Sequence, residues 1–391
     1  LDPTIDVWRR DVVDALSSVL ADRTVAHVAR VNLAASSGYA EPFLQASDMM
    51  LQARFTQRLP LGGRVEQIRA LAAYDDSLLD PAMIDFRNKL GPVMAELRAA
   101  SLAAGQGDPV QADAFESKAC LLALSRIPLP PCMPPLLDEK MPTAKLPPRT
   151  GLLTYTVAGN RLHATLSADG KVTMWNVTAS ARLPSAISRL LKGIGVGKSR
   201  GGRLPEDDSW RETAIAIRRQ LLPDDGVLSE DQFDELIIVP DGALWYLPFE
   251  LLPIGEADSE LLGDAIAVRY APTPSLAIKA AAPPPVSRAV GICADLFFAP
   301  RDMEQNEAIV QSIVDVINDP VRLPQTEEVS TSLLADKIGH LVVAAPRNSN
   351  TKNPLLMSLA PYDQDSAYGT LAAWLRFPAA TPRSVVLFGM R

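Results

Sequence analysis

The stretch Glu235-Leu236-Ile237-Ile238-Val239-Pro240-Asp241-Gly242-Ala243-Leu244-Trp245-Tyr246-Leu247-Pro248-Phe249-Glu250-Leu251-Leu252-Pro253 decides how the chain is read. It opens on an apolar run of the kind a buried strand requires. Pro240-Asp241-Gly242 then predicts a tight turn, in which proline fixes φ and glycine allows φ > 0. The apolar residues after it predict a return, closed by the prolines at 248 and 253. A buried strand of this type, with no polar face, belongs in a sheet covered on both sides.

Working outward, residues 152–157, 162–166 and 172–177 are β-rich runs separated by Ala158-Gly159-Asn160 and Ala168-Asp169-Gly170, which predicts a three-strand meander. Helical patterns follow at about 183–192 and 210–222. Beyond the central stretch, strand-type runs at 265–269, 287–293, 340–344 and 384–388 alternate with helical patterns at about 274–281, 302–317, 329–337 and 369–376. This alternation predicts an α/β domain with a mostly parallel sheet. In such a sheet functional groups sit on loops at the carboxyl ends of the strands.

Residues 127–150 are a different material, with eight prolines in 24 residues, which favours extended geometry over helix or central strand. They mark a linker. Before them, residues 1–126 carry apolar stripes at spacings of three and four: Val13, Leu16, Leu20; Met83, Phe86, Leu90, Val93, Leu97; Ala112, Phe115, Ala119, Leu122. They predict an all-α bundle or repeat-like region. Asp80-Pro81 and Asp108-Pro109 place an N-cap before a first-turn proline, and Pro92 should kink or divide its helix. The domain reading is therefore 1–126 helical, 127–150 linker and 151–391 α/β. The chain opens Leu1-Asp2-Pro3 and stops directly after a strand-type run, which reads as part of a longer protein.

Composition limits function. The 391 residues carry 38 Lys+Arg against 46 Asp+Glu, a net charge of −8, and are 47% hydrophobic. An acidic chain is a poor match for nucleic acid or anionic membrane, both of which need clustered basic residues. No apolar run reaches the roughly 18 residues needed to span a bilayer. Three cysteines (Cys120, Cys132, Cys293) and three histidines (His27, His163, His340) lie far apart, so neither a disulfide framework nor a metal site is expected, and no cofactor. A reducing, cytoplasmic setting is the expectation.

The chemical candidates are few. Gly193-Ile194-Gly195-Val196-Gly197-Lys198-Ser199 looks like a phosphate loop, but the position that must be glycine is Lys192 and the stretch follows a helix rather than a strand. It reads as a flexible basic loop. His27 reads as structural, and His163 as an exposed or half-buried strand histidine. Cys293 ends a strand, a suitable place for a nucleophile, without an evident partner.

From Pro240 to Leu252 the central stretch resembles the CHAT domain, a caspase-like family often found after helical repeats, whose signature is a strand followed by P-D-G-x-L-x-x-L-P-F-E-x-L. The positions that carry it are Pro240, Asp241, Gly242, Leu244, Pro248, Phe249 and Glu250. The meander and Tyr270-Ala271-Pro272-Thr273-Pro274-Ser275-Leu276 resemble further landmarks, so that the likeness covers about 150–391. It implies a caspase-like α/β/α sandwich with cysteine-peptidase ancestry. The family's general base is the second histidine of L-H-x-A-T-H-G and its nucleophile ends V-V-L-S-A-C. Here Gly339-His340-Leu341-Val342-Val343-Ala344 matches only the first histidine, His340, and puts Ala344 at the base. Val385-Val386-Leu387-Phe388-Gly389-Met390 puts Met390 at the cysteine. A methyl group accepts no proton and a thioether has none to lose. The resemblance thus implies a domain that binds a protein or peptide, as a scaffold or as a regulator of a caspase-like protease system, in a groove near the loops after Ala344 and Leu387 that involves Asp241. The alternative is a divergent cysteine endopeptidase whose nucleophile is Cys293 or lies outside the chain. Oligomeric state is left open.

Overall fold

The computed structural model describes residues 25–57, most of 81–119 and of 146–279, parts of 308–315, and the backbone of four strands at 288–294, 320–323, 338–347 and 384–390. In chain order the helices are α1 (25–37), α2 (Ala40–Gln57), α3 (Pro81–Lys89) and α4 (Gly91–Gly105). Strands β1 (Thr150–Ala158), β2 (Arg161–Ala168) and β3 (Lys171–Val177) follow, then α5 (Leu183–Gly193), α6 (Ser209–Leu221) and β4 (Glu235–Val239). Next come β5 (Pro253–Ile254), β6 (Glu260–Leu261), α7 (Leu262–Ala265), β7 (Ala267–Tyr270) and α8 (Pro274–Lys279). The last strands are β8 (Arg288–Ala294), β9 (Pro320–Leu323), β10 (Ile338–Arg347) and β11 (Ser384–Met390). The fold is mixed α/β with N-terminal helices. It divides into two compact units, one comprising residues 21–55 and 134–281, the other residues 1–20, 56–133 and 282–391.

The first unit is built on a five-stranded sheet of order β3-β2-β1-β4-β7. The meander strands pair antiparallel, whereas β1 with β4 and β4 with β7 pair parallel, so this sheet is mixed. Tight turns allow nothing else: only two residues join β2 to β3, Asp169 and Gly170, both at positive φ, and a parallel partner would need a crossover. One face carries Leu153, Tyr155, Leu162, Leu166, Leu236 and Ile238, buried against α5 and α6. Helix α5 forms because Pro184 sits in its first turn while Leu183, Ala186, Ile187 and Leu190 fall on one stripe. Trp175 ties the layer down by donating its indole N–H to the Leu221 carbonyl at 2.8 Å.

The other face alternates polar with apolar: Leu152, Thr154 and Thr156 on β1, His163, Thr165 and Ser167 on β2, Ile237 and Val239 on β4. Strands patterned in this way normally turn their polar face to water. Here all of these residues are buried. Helix α2 covers them with Phe43, Leu44, Ser47, Met50 and Leu51, and α1 packs on it through Val31. The exposed or half-buried setting expected for His163 is therefore overturned: it is 1% exposed, with the Phe43 ring 5.3 Å away, because a helix more than 100 residues upstream closes that face.

The central turn has Gly242 at positive φ as expected, and the apolar return after it takes a form the sequence left open. After β4 the chain makes two short 3₁₀ helices, Gly242–Tyr246 and Phe249–Leu251, and not an extended return; only afterwards does the small β5–β6 ribbon form. Pro248 lies between the two and prevents their fusion into one helix. The strand expected at 265–269 begins at Ala267, because Leu262–Ala265 closes a helical turn with Ile266 N–H bonded to Leu262.

In the second unit a four-stranded sheet runs in the order β11-β10-β8-β9, with every pair parallel. Strand β9, absent from the sequence reading, begins with Pro320. As the edge strand it tolerates a residue without an N–H. Helices α3 and α4 divide near Pro92, as its position predicts, and α3 begins at Pro81. The stripe at 13–20 and the helices expected at 329–337 and 369–376 lie outside the described residues.

Candidate functional site

At the carboxyl end of β4, Asp241 takes extended backbone angles and caps the first 3₁₀ helix, its Oδ1 accepting the Gly242 N–H at 2.9 Å. Gly242 lies at φ +59°, a region where a side chain would be strained. The second carboxylate oxygen accepts the Val157 N–H at 2.8 Å and pairs with the Arg54 guanidinium. Arg54 Nη2 in turn donates to the Val157 carbonyl at 2.6 Å. One acid–base pair thus binds both backbone groups of Val157, and it joins α2 to the ends of β1 and β4. Asp241, expected to help line a groove, is only 5% exposed, and both its oxygens are committed to these bonds.

Much of the rest of the central stretch is core. Leu244, Leu247 and Phe249 are almost fully buried. The Phe249 ring lies 5.7 Å from that of Tyr155 and 6.3 Å from that of Tyr270. The Tyr270 hydroxyl donates to Glu250 Oε2 at 2.8 Å and accepts the Phe249 N–H at 3.2 Å. Burial first, and the adjacent Glu250 carboxylate second, push the phenol well above its usual range, so it serves as a donor and not as a nucleophile. Gly263 permits the closure: a Cβ there would sit 2.8 Å from that of Glu250. Trp245 and Tyr246 point outward, 42% and 64% exposed.

A second clasp holds the segment after β7. Thr273 Oγ1 accepts the Leu276 N–H at 3.3 Å and starts α8. Asp48, fully buried, accepts the Ser275 N–H at 2.8 Å and also its hydroxyl, while Gln52 donates to both Asp48 and Ser275 at 2.8 Å. Sequence reasoning missed Asp48, Gln52 and Arg54. Nothing in the mixed polar and apolar sequence of α2 singles them out, and their partners on other elements stand 103 to 227 residues away.

In the second unit the register of β10 and β11 puts Ala344 and Met390 on neighbouring strands. Ala344 pairs with Phe388, and after a register shift Arg347 pairs with Met390. At strand spacings of about 4.8 Å across and 3.3 Å along, Ala344 and Met390 are roughly 8 Å apart. His340 pairs with Ser384, six residues before Met390, a separation of roughly 20 Å. Cys293 pairs with Val343, which leaves it roughly 11 Å from His340 along the sheet. The loop after β10 lies outside the described residues.

The remaining candidates are accounted for locally. The glycine-rich stretch begins where α5 ends, at Gly193, with residues 196–200 outside the described residues. His27 lies in α1 and is half-buried. His163 Nδ1 bonds Asn176 Oδ1 at 2.6 Å across β2 and β3, and burial holds its imidazole below 6.5. Among the described residues no three His, Cys, Asp or Glu gather as a metal site, and no helix is long and apolar enough to cross a membrane. The apolar pocket between Leu153, Tyr155, Leu228, Phe249 and Leu262 has no room for a water molecule.

The family model of the CHAT domain matches residues 211–383. The match takes in the whole central stretch together with His340 and Ala344, and stops one residue before β11, leaving Met390 beyond it. No curated protein matches the chain.

Proposed function

This chain carries a CHAT domain, a fold related to that of caspase-like peptidases, and from that premise we propose that it binds a protein or peptide partner without cleaving it. The layering we assign is the family's α/β/α sandwich. The observation that carries the reading is the residue pair Ala344 and Met390. Adjacent parallel strands bring the two positions within the span of a Cys–His dyad, and neither residue can move a proton or attack a carbonyl. Proton transfer needs donor and acceptor within about 3 Å, which counts against His340 as a substitute base and against a Cys293–His340 pair. The partner sits as an extended peptide beside a strand of the parallel sheet, a mode that draws affinity from main-chain hydrogen bonds and requires no catalytic group. The role is that of a scaffold or regulator in a caspase-like protease system.

The test is labelling of the protein with electrophilic peptide probes, with adducts mapped by mass spectrometry, beside the variant Ala344→His/Met390→Cys and the control Cys293→Ala. We expect no probe adduct on the native chain and a cysteine adduct at position 390 in the double variant. Labelling of native Cys293, lost in Cys293→Ala, would establish a rewired peptidase and end the binding reading.

A further inference from the structure

The sheet face beneath α2 is patterned for water and yet covered. On it the hydroxyls of Thr154, Thr156, Thr165 and Ser167 and the Nε2 atom of His163 are buried without hydrogen-bond partners among the described residues, as is the hydroxyl of Ser47 on the helix itself. Thr154 lies opposite Thr165, Thr156 opposite His163 and Leu152 opposite Ser167, so these groups form a continuous polar ladder across β1 and β2. It runs between two apolar patches, one made by Leu44 and Leu51 with Ile237 and Val239, the other by Phe43 and Met50 with Ala158. Covering such groups forfeits their bonds to water, a penalty that apolar packing on either side must offset. At its edges the helix is held by polar clasps, Arg54 to Asp241 and Asp48 with Gln52 to Ser275. Water can replace every bond in those clasps, and it can solvate the ladder. The sheet's other face, by contrast, is apolar along β1, β2 and β4 apart from the buried Tyr155 hydroxyl, and it is tied to α5 and α6.

We propose that α2, with α1 packed on it, is a releasable latch: it exchanges between the docked position and an undocked one in which the Thr/Ser/His face meets water and the Asp241 carboxylate is free of Arg54. Release costs the packing of the two apolar patches and the modest net contribution of the clasps, and returns hydration to the ladder, while β1, β4, α5 and α6 stay assembled. The latch is independent of whether the CHAT domain binds or cleaves, because none of its residues lies on β8–β11.

Hydrogen exchange on the full chain, read by mass spectrometry across a urea series, tests it. Amides of 40–54 should be protected only about 10- to 1,000-fold, the range of a minor state at 0.1–10%, with little urea dependence. Amides of 152–157 and 235–239 should be protected far more and open with a steep urea dependence. Thr165→Val, which removes one unpartnered hydroxyl at equal size, should slow exchange of 40–54 by about fivefold or more. Arg54→Met, which removes one clasp, should speed it. Equal protection of 40–54 and 235–239, with a common urea dependence, would overturn the latch. So would faster exchange of 40–54 in Thr165→Val. The first comparison uses the native chain alone, so it decides the matter even where a variant fails to fold.

Discussion

Replacing Asp241 separates a structural carboxylate from a functional one. In the native arrangement it accepts the Gly242 N–H, the Val157 N–H and the Arg54 guanidinium, and only 7% of its side chain is exposed. In Asp241→Ala the lost cap costs about 1 kcal/mol. The Val157 N–H, left without its acceptor, costs about 1 kcal/mol more. Arg54 keeps 23% exposure and can turn to water, so the broken ion pair adds about 1 kcal/mol and not the several expected of a sealed pair. The total, about 3 kcal/mol, lowers the melting temperature of a unit of this size by about 6–12 °C. Asp241→Asn keeps the cap oxygen and loses the charge, and should cost about 1 kcal/mol. The assay is urea unfolding followed by tryptophan fluorescence, since Trp175 and Trp210 pack against the core of the same unit. A double-mutant cycle of Asp241→Asn with Arg54→Met should give a coupling of about 1 kcal/mol. Stability of Asp241→Ala within about 0.5 kcal/mol of native, or a coupling of zero, would refute the clasp and return Asp241 to the candidates for direct function.

Two further outcomes follow from the buried groups. His163 is neutral in the folded chain because burial, opposed by the Asn176 bond and reinforced by the nearby Arg161 charge, lowers its pKa below 6.5. The unfolded chain then binds the extra proton, so its contribution is fully present above about pH 6.5 and stability falls as pH drops below that value; His163→Gln should flatten this limb in urea titrations run from pH 7 to 5. Phe249→Ala should cost about 3–5 kcal/mol in the same urea assay, since it empties the space between the Tyr155 and Tyr270 rings, and a cost below 1 kcal/mol would show that the neighbours collapse into it.

Local chemistry was legible wherever the chain's own neighbours decide the outcome. The run at 235–239 is a strand with the bounds its apolar residues imply, the meander folds about turns whose residues accept positive φ, and α5 and α6 follow their stripes. The P-D-G turn pointed to the CHAT family, whose model matches the same stretch. What followed the turn was less legible. The apolar residues from Leu244 to Leu252 suit a returning strand as well as the 3₁₀ turns they form, because periodicity does not distinguish short buried segments of these two kinds. Strand β9, four residues long and opening with proline, carries too little pattern to be seen before its neighbour β8 is in place.

For the candidate site the division is sharper. The comparison of Ala344 and Met390 with the family's base and nucleophile is a reading of sequence alone, since residue identity along a motif needs no folding. Only the tertiary structure decided that Asp241 is bound by Arg54, that Ser275 is bound by Asp48, and that the polar face of the meander is buried under α2. These facts join residues from 103 to 227 positions apart. Alternation along a strand records which side is polar, but which element comes to cover that side is set by the packing of the whole unit.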